Sequence, residues 1–178
     1  MRIVSGTHKG RRFTPPRGLP VRPTTDFAKE GLFNILQNRT NIHNSKVLDL
    51  CAGTGNMTFE FASRGAASIL AVDQHLGCIK FIKKASAELK LENIVVLKAD
   101  IFKFIGKLNQ SYDIIFADPP YALEETVNLP NTIFEKGLLA KGGLLVVEHG
   151  RETNFEEHPN FISSRAFGNV NFTFFEES

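Results

Sequence analysis

From residue 46 onward the chain alternates short apolar runs with longer amphipathic stretches. Mostly apolar runs of this length are typical of strands buried on both faces of a parallel sheet. Strands are predicted at Val47–Leu50, Ser68–Val72, Ile94–Leu97, Tyr112–Phe116, Gly143–Val147 and Phe172–Phe175. Helices are predicted from Thr25–Asp26, over a stretch ending at Gly65, over 74–90 and over 101–108, and helical stretches on either side of Pro130. The alternation predicts an α/β fold whose sheet is covered by helices on both faces.

The N-terminal segment follows a different pattern. Residues 2–14 predict a hairpin, with Gly6–Gly10 as the turn between Arg2–Val4 and Arg11–Phe13. The density of proline over 15–23 excludes a helix and predicts an extended connector. Side-chain oxygens at Thr25–Asp26 can cap the helix that follows. We therefore divide the chain into an arm with its connector, 1–23, and a domain, 24–178.

Charge separates the same two parts. The 178-residue chain has a formal net charge of +2, yet residues 1–25 hold six basic residues and no acidic one, so the remainder carries −4. The basic residues are Arg2, Lys9, Arg11, Arg12, Arg17 and Arg22. Such an arm is typical either of a protein that meets a polyanion or of a solvated basic tail. Charge alone favours neither.

Composition argues against several other classes of protein. Cys51 and Cys78 lack ligand spacing and are expected to be reduced thiols, and the five histidines show no paired spacing, so no metal site is expected. No apolar run approaches the roughly 18 residues that span a bilayer, and the N-terminus lacks an apolar signal stretch. We expect a cytoplasmic monomer without a membrane segment.

Asp49 to Gly55 form the first candidate site, where the first strand ends. Ligands of doubly wound sheets bind at this edge, and glycines at 53 and 55 leave the backbone open to them. Position 58 is threonine where a dinucleotide fingerprint needs glycine, and the Gly-Lys-Ser/Thr ending of a phosphate loop is absent. The Asp49 carboxylate favours a ligand with an ammonium group over a phosphate.

Two further acids end neighbouring strands. Asp73 follows the second strand, where a carboxylate can accept hydrogen bonds from both ribose hydroxyls of a nucleoside. The alternative is a cap for the next helix. Asp100 follows the third strand and can accept a hydrogen bond from an adenine amino group, although a cap for the helix at Ile101 explains it nearly as well.

The fourth strand leads directly into Asp118-Pro119-Pro120-Tyr121. Two successive prolines fix the backbone and remove two N–H donors, so the loop presents the Asp118 carboxylate and the Pro119 carbonyl as acceptors. Two acceptors that hold the hydrogens of an exocyclic amine favour a pyramidal nitrogen and stabilise the positive charge of methyl transfer. Tyr121 can stack on the base. An ordinary Pro-Pro turn is the alternative, and the position behind a cofactor turn favours methyl transfer.

The glycine turn and the Asp-Pro-Pro-Tyr loop together resemble class I methyltransferases that modify amino groups. The closer resemblance is to the bacterial 16S rRNA guanine-N2 methyltransferases of the RsmD type, and it covers essentially the whole chain. It is carried by Arg2–Gly6 with Gly10–Phe13, by Arg22–Asp26 followed by Lys29–Glu30 and Leu32–Leu36, and by Arg165, Phe167 and Gly168.

This resemblance implies a Rossmann-like, doubly wound, mostly parallel seven-stranded sheet with an N-terminal β-hairpin arm, and S-adenosyl-L-methionine as cofactor. It also implies methylation of one guanine of 16S rRNA within an assembled or partly assembled small ribosomal subunit. With the motifs, it predicts catalytic residues Asp118, Pro119, Pro120 and Tyr121. The predicted cofactor-binding residues are Asp49, Cys51, Gly53, Gly55, Asp73 and Asp100. The predicted substrate-binding residues are Arg2, Lys9, Arg11, Arg12, Arg22 and Thr24.

Three residues depart from the family pattern. Cys51 replaces a usual aromatic residue, and Asn56 replaces a small apolar one. Gly31 lies inside the first predicted helix, where alanine is expected, and should weaken that helix by about 1 kcal/mol.

Two other functions are compatible with parts of the chain. The Asp-Pro-Pro-Tyr loop alone also permits methylation of adenine N6 in DNA, but DNA enzymes of that type usually carry a target-recognition insertion for which little of this chain is spare. A factor that binds S-adenosylmethionine and rRNA without catalysis is the third hypothesis, and the intact acceptor loop argues against it.

Overall fold

A computed structural model describes residues 1–20, 24–120 and 124–177. The strands are β1 (Lys46–Leu50), β2 (Ser68–Asp73), β3 (Ile94–Lys98), β4 (Tyr112–Ala117), β5 (Leu139–His149), β6 (Phe161–Phe167) and β7 (Val170–Glu176). They form a seven-stranded sheet of order β3-β2-β1-β4-β5-β7-β6. β1 to β5 pair in parallel, whereas β7 is antiparallel to β5 and β6. The predicted doubly wound, mostly parallel sheet is confirmed.

Five helices of the described residues cover the two faces of the sheet. They are α1 (Asp26–Arg39), α2 (Asn56–Ser63), α3 (Leu76–Glu88), α4 (Ile101–Ile105) and α5 (Glu124–Glu135). α1 begins where the sequence predicts, because the Thr25 side chain accepts a hydrogen bond from the Ala28 amide at 3.2 Å. Residues of α1 and α2 pack in one core cluster, and residues of α4 and α5 pack in another.

The helical stretches predicted on either side of Pro130 are present, and they form one continuous helix, α5. An interior proline costs a helix about 3 kcal/mol. Leu129 and Ile133 on either side of it are buried in the core shared with α4. Burial of an apolar side chain of this size contributes about 1.5–3 kcal/mol. Tertiary packing therefore offsets the local penalty.

Two strands differ from the apolar pattern. β3 is an edge strand, and its Val95 and Leu97 are 63% and 38% exposed, so the expectation of burial on both faces is wrong there. β6 is the strand that the periodicity missed. Its residues are half-buried or exposed and its centre is polar, which leaves no apolar run to recognise. It is held by pairing with β7 across the turn at Gly168.

The predicted N-terminal hairpin is confirmed and packs on α2. Arg2 and Arg12 form an antiparallel bridge, and the Ile3 amide donates to the Arg11 carbonyl at 2.9 Å. Ile3 is buried, and the Phe13 ring stacks on Phe59 with centroids 5.0 Å apart. The arm is therefore part of the packed structure at its base.

Gly31 has a packing role that its helix propensity does not indicate. A Cβ at this position would lie 2.0 Å from Cε1 of Phe167 in β6. The sequence predicts only that the glycine weakens α1. The structure adds that α1 approaches β6 closely because position 31 has no side chain.

Candidate active site

Acidic residues gather at the carboxyl edge of the parallel strands, where ligands of such sheets bind. They are Asp49 in β1, Asp73 at the end of β2, Asp100 after β3, Asp118 after β4 and Glu148 in β5. Burial first, and then the charges of the four aspartates, raise the pKa of the Cys51 thiol far above its usual range. Cys51 therefore keeps its proton, and it lies among the carboxyl groups of this edge.

The turn after β1 depends on unusual backbone angles. Cys51, Gly53 and Gly55 all have positive φ, at 60°, 55° and 76°. A Cβ at Gly55 would lie 2.9 Å from the Phe59 ring and 3.0 Å from Cγ1 of Ile82. Glycine at 55 is required both by its conformation and by this close packing. The turn thus presents backbone, not side chains, to the site.

Asp49 is buried and only partly satisfied. Its Oδ2 accepts a hydrogen bond from the Thr58 hydroxyl, while its Oδ1 has no hydrogen-bond partner among the described residues. Burial raises the pKa of Asp49 to about 7, and the hydrogen bond from Thr58 opposes this rise. An unmatched buried carboxylate oxygen costs free energy. A cationic or hydrogen-bond-donating ligand at this edge would recover that cost.

Asp73 and Asp100 are both engaged by backbone amides. Asp73 accepts hydrogen bonds from the Gly53 amide at 2.8 Å and from the His75 amide at 2.7 Å, so it ties the glycine turn to the start of α3. Asp100 Oδ1 accepts a hydrogen bond from the Phe102 amide at 3.0 Å and caps α4. The capping alternative for Asp100 is therefore observed, and contacts of both residues with a cofactor stay predictions.

Asp118 and Glu148 are neighbours on adjacent strands. The residues that precede them are register partners in β4 and β5. Burial, and then the charges of Glu148 and Asp49, raise the pKa of Asp118 well above its usual range. Glu148 Oε2 also accepts a hydrogen bond from the Thr24 hydroxyl at 3.0 Å. Thr24, the first residue after the connector, thus lies beside the predicted catalytic loop.

The described part of that loop is held at two points. The Asp118 amide donates to the Leu50 carbonyl at 3.1 Å, and the Thr126 hydroxyl donates to the Pro120 carbonyl at 3.0 Å. Pro119 is buried and Pro120 is exposed. Tyr121 lies outside the described residues.

A buried polar network joins the arm to the site. The Lys29 ammonium is fully buried and contacts the Arg2 carbonyl, Asn56 Oδ1 at 2.8 Å and Glu60 Oε2 at 3.3 Å. Asn56 in turn donates to the Thr24 carbonyl at 3.0 Å. Glu60 also accepts hydrogen bonds from two arm amides. Asn56, a departure from the family pattern, therefore links Thr24 to Lys29 of α1, and Lys29 in turn contacts the arm.

The predicted substrate-binding residues differ in their surroundings. Lys9, Arg11 and Arg12 are exposed. The Arg2 guanidinium is instead paired with two carboxylates of α1, Asp26 at 2.9 Å and Glu30 at 3.4 Å. Arg22 lies outside the described residues.

Sequence reasoning missed Glu148, Thr58 and the pair Lys29–Glu60. The signal for Glu148 was present, since a carboxylate directly follows the apolar run Leu144–Val147, much as Asp49 interrupts the first run. The buried pair gave no such signal, because charged residues are common on helices.

Neither a metal site nor a membrane span is found where the structure is described. No group of three or more His, Cys, Asp or Glu side chains in these residues is arranged to hold a metal ion. No helix among them is long and apolar enough to cross a membrane.

The sheet order, the glycine turn and the acidic Pro-Pro loop define a class I methyltransferase domain. A family model described as "Conserved hypothetical protein 95" matches residues 1–176. The ribosomal RNA small subunit methyltransferase D of Escherichia coli strain K12 is 33% identical over 162 residues, covering 89% of this chain and 79% of the relative. The putative rRNA methyltransferase YlbH of Bacillus subtilis is 33% identical over 161 residues, covering 88% and 86%.

Solved structures agree with these relatives. The structure of the putative methyltransferase yhhF from Escherichia coli has a TM-score of 0.88 at 28% identity, covering 100% of this chain and 98% of that chain. The chain belongs to the RsmD-type family of methyltransferases.

Proposed function

We propose that this chain transfers a methyl group from S-adenosylmethionine to the exocyclic N2 amino group of one guanine in 16S rRNA of the small ribosomal subunit. The observation that carries the proposal is the position of Asp118. It follows β4 at the ligand-binding edge, beside the cluster of acids around the glycine turn. The names of the relatives that cover most of this chain support rRNA as the substrate.

The acidic edge fits S-adenosylmethionine, which carries a sulfonium and an ammonium group. Asp49 Oδ1, which has no partner among the described residues, would hold the ammonium. Asp73 would accept from the ribose hydroxyls through the second lone pairs of its oxygens. Asp100 would accept from the adenine amino group through Oδ2, since Oδ1 caps α4. A polyphosphate ligand would be repelled by the same charges. When bound, the cofactor supplies an electrophilic methyl group.

The chain's own residues prepare the acceptor nitrogen. Asp118 and the Pro119 carbonyl would each accept one hydrogen of the guanine amino group, which favours a pyramidal nitrogen and stabilises its developing positive charge. The hydrogen bonds at Leu50 and Thr126 keep these acceptors in place. Tyr121 is proposed to stack on the base and align it for transfer.

The arm would supply affinity for RNA without reading its sequence. Lys9, Arg11 and Arg12 are exposed and free to meet phosphates, whereas Arg2 is proposed to contribute less because α1 already neutralises it. The target base must be unstacked and turned into the site. This assigns most contacts with phosphates to residues 1–23, and base recognition and chemistry to residues 24–178.

The test is incubation of the full chain with labelled S-adenosylmethionine and small subunits that lack the modification. We expect label in 16S rRNA with the wild-type protein. Asp118→Ala should abolish incorporation while cofactor binding, measured by calorimetry, stays nearly unchanged. Incorporation into DNA but not rRNA would overturn the proposed substrate. A wild-type protein that binds subunits without turnover would favour the non-catalytic factor.

A further inference from the structure

Glu148 lies beside Asp118 but has no role in the methyl transfer proposed above. It is 4% exposed and lies next to the last residue of β5. Its charge is among the causes that raise the pKa of Asp118, so the two carboxyl groups lie near each other at the edge of the sheet where ligands bind. Pairs of this kind are enriched at functional sites.

The sheet geometry directs both carboxylates to the same side. Phe116 and Val146 are register partners on β4 and β5, and both lie in the core cluster beneath α1. Glu148 lies two residues after Val146 within β5 and so shares its face of the sheet. Asp118 follows Phe116 at the same spacing just beyond the end of β4, where its amide still donates to the Leu50 carbonyl of β1. Neighbouring strands are about 4.8 Å apart. The two carboxylates therefore face one ligand edge from adjacent strands.

The chemistry of nucleobase edges distinguishes what such a pair can hold. Guanine presents its N1–H directly beside its N2 amino group, so its edge offers adjacent donors. Adenine and cytosine present a ring nitrogen acceptor beside their amino groups. Ionised carboxylates only accept hydrogen bonds. An ionised Glu148 beside Asp118 thus matches guanine, whereas in adenine or cytosine it would meet a ring nitrogen that also only accepts.

We propose that Glu148 is the residue that selects guanine, by accepting a hydrogen bond from N1–H while Asp118 and the Pro119 carbonyl hold the N2 amino group. The Thr24 hydroxyl, which donates to Glu148 Oε2 at 3.0 Å, positions this carboxylate. The inference rests on the proposed function and adds its base specificity. It also ties recognition to Thr24, the first residue after the connector.

The test replaces the target guanine by 2-aminopurine in small subunits reconstituted from synthetic RNA. This base keeps the N2 amino group but has an acceptor at N1. The wild-type protein is expected to methylate guanine at least about 100-fold faster, as kcat/KM, because a site built for a donor rejects its absence. Glu148→Gln brings an amide donor to N1. It should lower this preference to less than about tenfold, largely by losing activity on guanine.

Controls separate recognition from folding. Glu152→Gln changes an exposed acid shortly after β5 and should leave the preference unchanged. Thermal unfolding and cofactor binding check that Glu148→Gln is folded. If Glu148→Gln does not fold, Thr24→Val is tested in its place. We expect that variant to lower the preference for guanine over 2-aminopurine about fivefold.

Two results would overturn the inference while the proposed function stands. One is a wild-type protein that uses 2-aminopurine as well as guanine. The other is an unchanged preference for guanine over 2-aminopurine in the folded Glu148→Gln variant, or in Thr24→Val if that variant is tested in its place. Absence of any N2-methylguanosine with wild-type protein would instead remove the proposed function, and the inference with it.

Discussion

At the scale of the residue, Asp49 connects stability, pH and ligand binding. Its pKa is about 7 in the folded protein against 3.8 for an unperturbed carboxyl. The folded chain therefore keeps a proton that the unfolded chain releases between these values. This contribution to stability is fully present below pH 3.8 and is lost as the pH rises to about 7. A cation bound beside Asp49 would have the opposite effect, because it would favour the ionised form of this carboxyl in the folded protein.

Asp49→Asn should consequently make the ligand-free protein more stable at pH 8 and weaken cofactor binding. We expect a higher urea midpoint at pH 8 and a Kd for S-adenosylmethionine raised about tenfold or more, since each 1.4 kcal/mol of lost interaction is a factor of ten. Urea titration and calorimetry measure the two effects. Glu92→Gln, at an exposed position, is the control. Unchanged cofactor affinity would contradict the role given to Asp49.

At the scale of the element, Gly31 sets the distance between α1 and β6. Helix propensity alone predicts that Gly31→Ala stabilises α1 by about 1 kcal/mol. The contact with the Phe167 ring predicts the opposite, a loss of about 1–3 kcal/mol in the free energy of unfolding, because overpacking forces neighbours to shift. Urea unfolding decides between the two signs. Adding Phe167→Leu should recover part of the loss, and a more stable single variant would contradict the packing account.

Most elements could be predicted because their signals are local. A few consecutive residues are enough to predict the Thr25 cap, the apolar runs of β1, β2 and β4, and the glycine turn. β6 and the continuous α5 could not be predicted, since both depend on distant partners: β7 in one case and the core around Leu129 in the other. The same distinction holds in the site. Asp49 and Asp118 were located from sequence motifs, whereas the position of Glu148 beside Asp118 follows only from the pairing of β4 with β5.

At the scale of the whole molecule, the fully buried Glu60 joins the arm to the domain through Lys29, Arg64 and two arm amides. Glu60→Gln leaves the Lys29 ammonium buried without its counter-charge. Breaking a buried ion pair in this way typically costs about 3–5 kcal/mol. Urea unfolding should show a loss of that order. Glu30→Gln, whose partner Arg2 is half exposed, should cost less than about 1 kcal/mol. Equal effects of the two variants would contradict a buried anchor.

The arm also predicts how binding responds to salt. Each phosphate contact steepens the fall of affinity with salt by about 0.7–0.9 in the logarithmic slope. Replacing Lys9, Arg11 and Arg12 together by Gln should therefore reduce the slope for subunit binding by about 2–3, measured by filter binding across a salt series. Arg2→Gln should change it less, because Asp26 and Glu30 already pair with it. An unchanged slope in the triple variant would place RNA binding elsewhere.

Nucleoside analysis of rRNA after the reaction identifies the methylated base directly. Small subunits that lack the modification are incubated with the full chain and S-adenosylmethionine, and the 16S rRNA is digested and separated by mass spectrometry. N2-methylguanosine is expected at one position with the wild-type protein and none with Asp118→Ala. N6-methyladenosine, or no methylated nucleoside at all, would contradict the proposed function.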